Sequence, residues 1–96
     1  MNKQIWKFEL SKEDKQQIAM PQGAQILSCQ EQRGGKWCIW ALVIPEAEKE
    51  ERTFEVFGTG HPISYDMGVD REFIDTIQTQ GAELSMYVFH IFERLN

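Results

Sequence analysis

The chain has 96 residues, 42% hydrophobic and 26% charged, proportions close to those of ordinary globular proteins, so one packed core needs no metal or bridge and there is no room for a second domain. Ten basic against 15 acidic residues give a formal charge of −5, a field that repels phosphate backbones and argues against nucleic acid as a partner. No apolar run approaches the ~20 residues a bilayer demands, the longest being Trp37 to Ile44, so no membrane partner is expected.

An acidic surface suits a basic protein or a mimic of nucleic acid, although a solvated face that keeps the chain soluble accounts for the same charge. The opening Met-Asn-Lys-Gln-Ile-Trp-Lys-Phe-Glu-Leu mixes charges into its apolar residues and has no signal core; the expected location is the cytoplasm. Two cysteines are too few for a disulfide scaffold, and without an export signal they are expected as reduced, buried thiols.

In chain order, Trp6, Phe8 and Leu10 alternate with Lys7 and Glu9, the period of a strand with one wet face. Ser11 to Asp14 resembles a capping turn, but Gln16 to Met20 is too short for a stable helix and alternates again, which predicts a second strand ended by Pro21. After a turn at Gln22-Gly23, residues Ala24 to Gln32 and Lys36 to Ile44 read as the arms of a hairpin around Arg33-Gly34-Gly35, glycines being the residues that tight reversals favour. A two-residue turn at Arg33-Gly34 would set Cys29 opposite Cys38; one at Gly34-Gly35 would set it opposite Trp40. The second arm is apolar on both faces, as in a central strand covered on both sides, so something is expected to pack on each.

Pro45 ends that arm, and Glu46 to Glu51 reads as a charged loop. Arg52 to Phe57 resumes strand character; Ser64 to Asp70 reads as an irregular crossing. Glu72 to Gln78 fits a strand or two helical turns, and strand is the expectation. After Gln80-Gly81, Leu84 to Phe92 reads as a last strand buried on both faces.

Gly58-Thr59-Gly60-His61-Pro62 is the most conspicuous local signal, because glycines bring bare N–H groups close to a ligand. It lacks the Lys-Ser/Thr of a P-loop and the third glycine of a dinucleotide fingerprint, and a tight bend leaving a strand uses the same glycines. His61, His90, Cys29 and Cys38 lack the close pairing of structural zinc ligands, so no metal is expected; His90, between Phe89 and Ile91, reads as a hydrogen-bonded core histidine. Asp66, Asp70 and Asp75 permit a drawn triad with His61, but no nucleophile elbow singles out a serine or cysteine, and no enzyme is expected. Trp6, Trp37, Trp40, Tyr65 and Tyr87 are binding anchors if exposed and core residues if not. Trp37 and Trp40 differ in parity and face opposite ways.

Ile5-Trp6-Lys7-Phe8, the run Met20 to Ser28, Trp40-Ala41-Leu42-Val43, Pro45-Glu46-Ala47-Glu48, Gly58-Thr59-Gly60-His61-Pro62-Ile63, the run Phe73 to Gln78 and the ending Val88 to Glu93 together resemble a family of small uncharacterised proteins encoded by tailed phages and prophages. The resemblance spans most of the chain and departs from the pattern after Ile63, where Ser64 to Glu72 is longer. It implies no activity, cofactor or catalytic residue. By analogy with small phage accessory proteins it implies binding of a host factor, a defence component or a small signalling molecule.

The expectation is therefore an all-β fold of six to seven mainly antiparallel strands, a β-sandwich or small barrel with little or no helix. The expected role is a non-catalytic protein-binding module without cofactor, acting in the host cytoplasm on a host or phage protein, and compatible with a homo-oligomer. The candidate binding residues are Gly58, Thr59, Gly60, His61 and Tyr65. The alternatives are a nucleotide-like ligand held by the same loop, and a self-assembling structural component.

Overall fold

In the computed structural model, residues 2–63, 68–80 and 86–96 are described. They form seven strands and no helix: β1 (Gln4–Leu10), β2 (Lys15–Pro21), β3 (Gln25–Glu31), β4 (Trp37–Val43), β5 (Lys49–Gly58), β6 (Arg71–Gln80) and β7 (Met86–Arg94). All pairings are antiparallel, in two sheets ordered β1-β4-β3 and β2-β5-β7-β6. The architecture is a small β-sandwich.

The chain passes between sheets three times before the last hairpin, and each corner has a local cause. At the first, the Gln16 side chain accepts from Ser11 N and donates to Ser11 O, both at 2.8 Å. The second is a turn closed by Ala24 N donating to Pro21 O, with Gly23 at φ 79° in its third position, a backbone angle that glycine takes without penalty. The third is closed by Ala47 N donating to Ile44 O, with Pro45 pre-setting the second position.

Alternation along the strands sends one set of side chains between the sheets. Trp37, Ile39, Ala41 and Val43 of β4 meet Phe54 and Val56 of β5, Ile77 of β6 and Ile91 of β7, with Leu10 and Met20 completing the core. Fully burying each large member contributes about 1.5–3 kcal/mol. Along one side, β3 and β6 lie next to each other without a backbone ladder. Side chains close the seam instead: Cys29 N donates to Asp75 Oδ2 at 3.1 Å, and Thr79 Oγ1 donates to Glu31 Oε1 at 2.7 Å.

The expected strand over 72–78 is present as β6, and β4 is the centre of its sheet. Several finer expectations are corrected. The β3–β4 reversal lies at Arg33, Gly34 and Gly35 as expected, with φ of 90° and 82° at the glycines, but it is a three-residue turn rather than either of the two-residue turns weighed for Cys29. Gln32 N donates to Lys36 O, so Cys29 lies opposite Ile39, and Cys38 opposite Gln30. The free thiols are both buried but stand on opposite faces of the sheet. Lys49, Glu50 and Glu51 belong to β5 rather than to a loop, because their backbones pair with β2 while the side chains stay in water.

The apolar outer sides of β4 and β7 are not covered by another element among the described residues. Trp40 and Leu42 on β4, and Val88, His90 and Phe92 on β7, are half-buried. His90 is thus hydrogen-bonded as expected but is not a core residue.

Candidate functional site

At one end of β5 and β7 the strands run out into the Gly58-Thr59-Gly60-His61 loop. His61 N donates to Gly58 O at 3.0 Å, closing a turn, and Thr59 N donates to Val88 O at 3.1 Å, tying the loop to β7. The two glycines serve different ends. Gly60 has φ 87°, a conformation side chains resist, with nothing within 4 Å of where a side-chain carbon would stand, whereas at Gly58 that carbon would fall 2.8 Å from His61 Nδ1. Gly58 therefore makes space for the imidazole, and Gly60 turns the chain.

Beside the loop, His90 spans two threonines: Thr59 Oγ1 is 2.8 Å from Nε2 and Thr76 Oγ1 is 3.1 Å from Nδ1. In a neutral ring one nitrogen donates and the other accepts, and both hydroxyls suit either role. The polar groups at this corner are thus largely satisfied within the chain.

Gly58, Thr59, His61, Tyr87, Val88 and Phe89 enclose a groove of about 510 Å³. Its wall is set by two aromatics. Phe89 packs on buried Trp37 with ring centroids 5.1 Å apart, while Tyr87 stands 54% exposed beyond the end of the core. Among the described residues no carboxylate or thiol lines it.

Of the residues singled out from sequence, Gly58, Thr59, Gly60 and His61 share this corner, and the first two and His61 line the groove. Tyr65 lies outside the described residues. Among the aromatic candidates, Trp37 is buried, Trp6 and Trp40 are half-buried, and Tyr87 is exposed. Sequence reasoning treats Val88 and Phe89 only as parts of a buried strand, because nothing in the local pattern separates a residue at a strand's rim from one at its centre.

The opposite end of the same strands has two further concavities, about 300 and 540 Å³, both lined by Arg52 and Glu93. Their central charges are spent on each other. Arg52 Nε and Nη2 donate to the Glu93 carboxylate at 2.5 and 2.8 Å, and Nη1 donates to Ala24 O at 2.5 Å. The fork to Glu93 holds the guanidinium above its ordinary pKa despite burial, as expected for a bidentate pair. Such a clamp joins β5, β7 and the β2–β3 corner and commits the Arg52 guanidinium to Glu93 and the Ala24 carbonyl rather than to a ligand. Burial, reinforced by Asp75, pushes the Cys29 thiol up to about 12, so at neutral pH it is protonated and a poor nucleophile. Among the described residues no three His, Cys, Asp or Glu side chains gather as a metal-binding group.

The fold and site together define a two-sheet antiparallel β-sandwich with an apolar groove at a glycine-histidine loop. Residues 1–96 match a family described as a domain of unknown function, DUF7352, and the chain belongs to that family. No curated protein and no solved structure matches it.

Proposed function

We propose that this chain is a non-catalytic protein-binding module of phage or prophage origin, acting in the host cytoplasm, and that the groove beside Gly58–His61 receives an aromatic or aliphatic side chain of its partner. The observation that carries this reading is the character of the groove: apolar walls, an exposed tyrosine at the rim, and the Thr59 and His61 amides and the Thr59 hydroxyl already paired within the chain. Aromatic residues beside an apolar pocket are the residues around which interface energy concentrates. The sequence resemblance to small phage and prophage proteins supports the setting, by analogy alone.

The nucleotide-like alternative needs loop N–H groups aimed at phosphate. The Thr59 and His61 amides point instead at Val88 O and Gly58 O, which disfavours it. Catalysis needs a nucleophile beside a base; His61 and Tyr87 are the ionisable groups lining this groove, and neither has a partner in it that would activate it.

The test is affinity capture from host lysate, with and without phage infection, using wild type and His61→Ala and reading proteins and small molecules by mass spectrometry. A protein retained by wild type and lost with His61→Ala supports the proposal. Retention of a nucleotide alone overturns it in favour of the ligand-binding alternative.

A further inference from the structure

Among the described residues four strands stand at sheet edges, β1 and β3 in one sheet, β2 and β6 in the other. An edge presents a row of unpaired backbone N–H and C=O groups, and chains blunt such edges with bulges, prolines or covering groups. Three of the four are blunted here. β3 and β6 lie against each other, each with a register shift, at Ile26/Ser28 and at Phe73/Asp75, and the Asp75 carboxylate takes the Cys29 N–H. β2 ends in Pro21, which has no N–H to give.

β1 has none of these devices. Its seven residues pair with β4 in unbroken register, from Gln4 opposite Val43 to Leu10 opposite Trp37, and among the described residues no strand pairs along its other side. The connections of this sheet's strands, 11–14, 22–24, 32–36 and 44–48, are all described, and residues 64–67 and 81–85 join strands of the other sheet. β2 makes no approach to β1 comparable to that of β6 to β3, so this side of the sandwich is left open. Half-buried rings stand there: Trp6 and Phe8 of β1, with centroids 6.3 Å apart, pack against the margin of the core. On the other face of the strand Ile5, Lys7 and Glu9 are exposed. A lone lysine on an edge repels a second strand, but Glu9, two residues on and on the same face, supplies the opposite charge.

We propose that two copies of this chain pair edge to edge through β1, antiparallel about a two-fold axis at Phe8, joining their three-stranded sheets into one sheet of six strands. Two-fold pairing sets the strand against itself, so its own charges select the register. Centred on Phe8, Lys7 of each copy faces Glu9 of the other, twice over. Centred on Lys7 or on Glu9, like charges face each other directly, which is destabilising. The Phe8 register also sets Trp6 against Leu10 and Phe8 against its own copy, covering the rings at the open side. β2 offers no such complement, because its exposed residues Lys15, Gln17 and Ala19 carry one sign of charge. Backbone hydrogen bonds supply the affinity of an added strand and its side chains the specificity. This inference is independent of the groove, whose occupant is a different protein.

Sedimentation of the full chain across a concentration series tests it, with folding followed by circular dichroism. The expected species at the top of the series has twice the 11.2 kDa of one chain, and its β1 amides exchange hydrogen more slowly than those of the dilute chain. Lys7→Glu and Glu9→Lys each set like charges opposite and are each expected to raise the dissociation constant at least about tenfold. The double reversal restores opposite pairs and is expected to return it to within about threefold of wild type. Lys15→Glu on β2 is expected to leave it unchanged. Should one single variant fail to fold, the other and the double reversal carry the comparison. A wild type that is monomeric throughout, a mass above two chains, a dimer indifferent to the single reversals, or a double reversal as weak as the singles would each overturn the proposal. So would a monomer whose β1 amides slow only when a captured protein is bound, which would give the edge to a foreign strand.

Discussion

The two ends of β5 and β7 are built on opposite principles. At one end Arg52 is locked by Glu93 and the Ala24 carbonyl, and the concavities around it contain charges already committed to each other. At the other, about 20 Å along the strands at ~3.4 Å per residue, the wall is apolar, a tyrosine is exposed, and the loop's hydrogen bonds turn inward. Charge and cavity size therefore do not by themselves mark a site. The charged end holds strands and a corner in place, whereas the plain end is left with uncovered apolar surface.

The contrast is broken most severely by Arg52→Ala. It leaves the 5%-exposed Glu93 without its counter-charge, and urea unfolding should show a loss of about 3–5 kcal/mol. A loss below about 1 kcal/mol, the range of a surface pair, would mean that this end is not the anchor. Next is the seam: Asp75→Ala deprives the Cys29 amide of a charged acceptor and should cost about 1.5–3 kcal/mol in the same assay.

Cys29 supplies a pH-dependent comparison. Its folded-state pKa is raised from 9.0 to about 12, so the stability it contributes is intact below the unfolded value and is lost as pH rises from about 9 to about 12. The slope is about 1.4 kcal/mol per pH unit in that window. Stability measured against alkaline pH should fall more steeply in wild type than in Cys29→Ala; parallel curves would contradict the shift.

The smallest effects separate the two glycines. Gly60→Ala forces a side chain to φ 87° and should cost about 1 kcal/mol. Gly58→Ala displaces only the exposed His61 ring, and its stability change should stay within about 0.5 kcal/mol while partner capture falls. The reverse ranking in thermal melts would show that Gly58, not Gly60, holds the turn.

Much of this fold is legible in the sequence because its periods are strong. Trp6, Phe8 and Leu10 announce β1, and the reversal at Arg33-Gly34-Gly35 announces the β3–β4 hairpin. What the sequence conceals is decided by geometry beyond a residue or two. A three-residue rather than two-residue turn sets Cys29 against Ile39, and backbone pairing with β2 draws Lys49 to Glu51 into a strand despite their charge. The apolar outer side of β4 suggests a covering layer that the described chain does not supply. At the groove, the Gly58–His61 segment stands out through its glycines, but Val88 and Phe89 do not, because an apolar residue at a strand's rim has the same sequence signature as one at its centre. The Arg52–Glu93 clamp joins residues 41 positions apart, a distance over which no local pattern speaks.

In the proposed function the apolar end, not the charged end or the sheet face around Phe73, meets a foreign protein. The most direct test is quantitative capture from infected-cell lysate with His61→Ala, Tyr87→Ala, Phe73→Asp and the surface control Leu27→Ser in parallel, after each is shown to fold. The predicted result is one protein whose recovery falls with the first two variants and persists with the last two. Recovery that survives His61→Ala and Tyr87→Ala but is abolished by Phe73→Asp would contradict the proposal and move the binding surface to the sheet face.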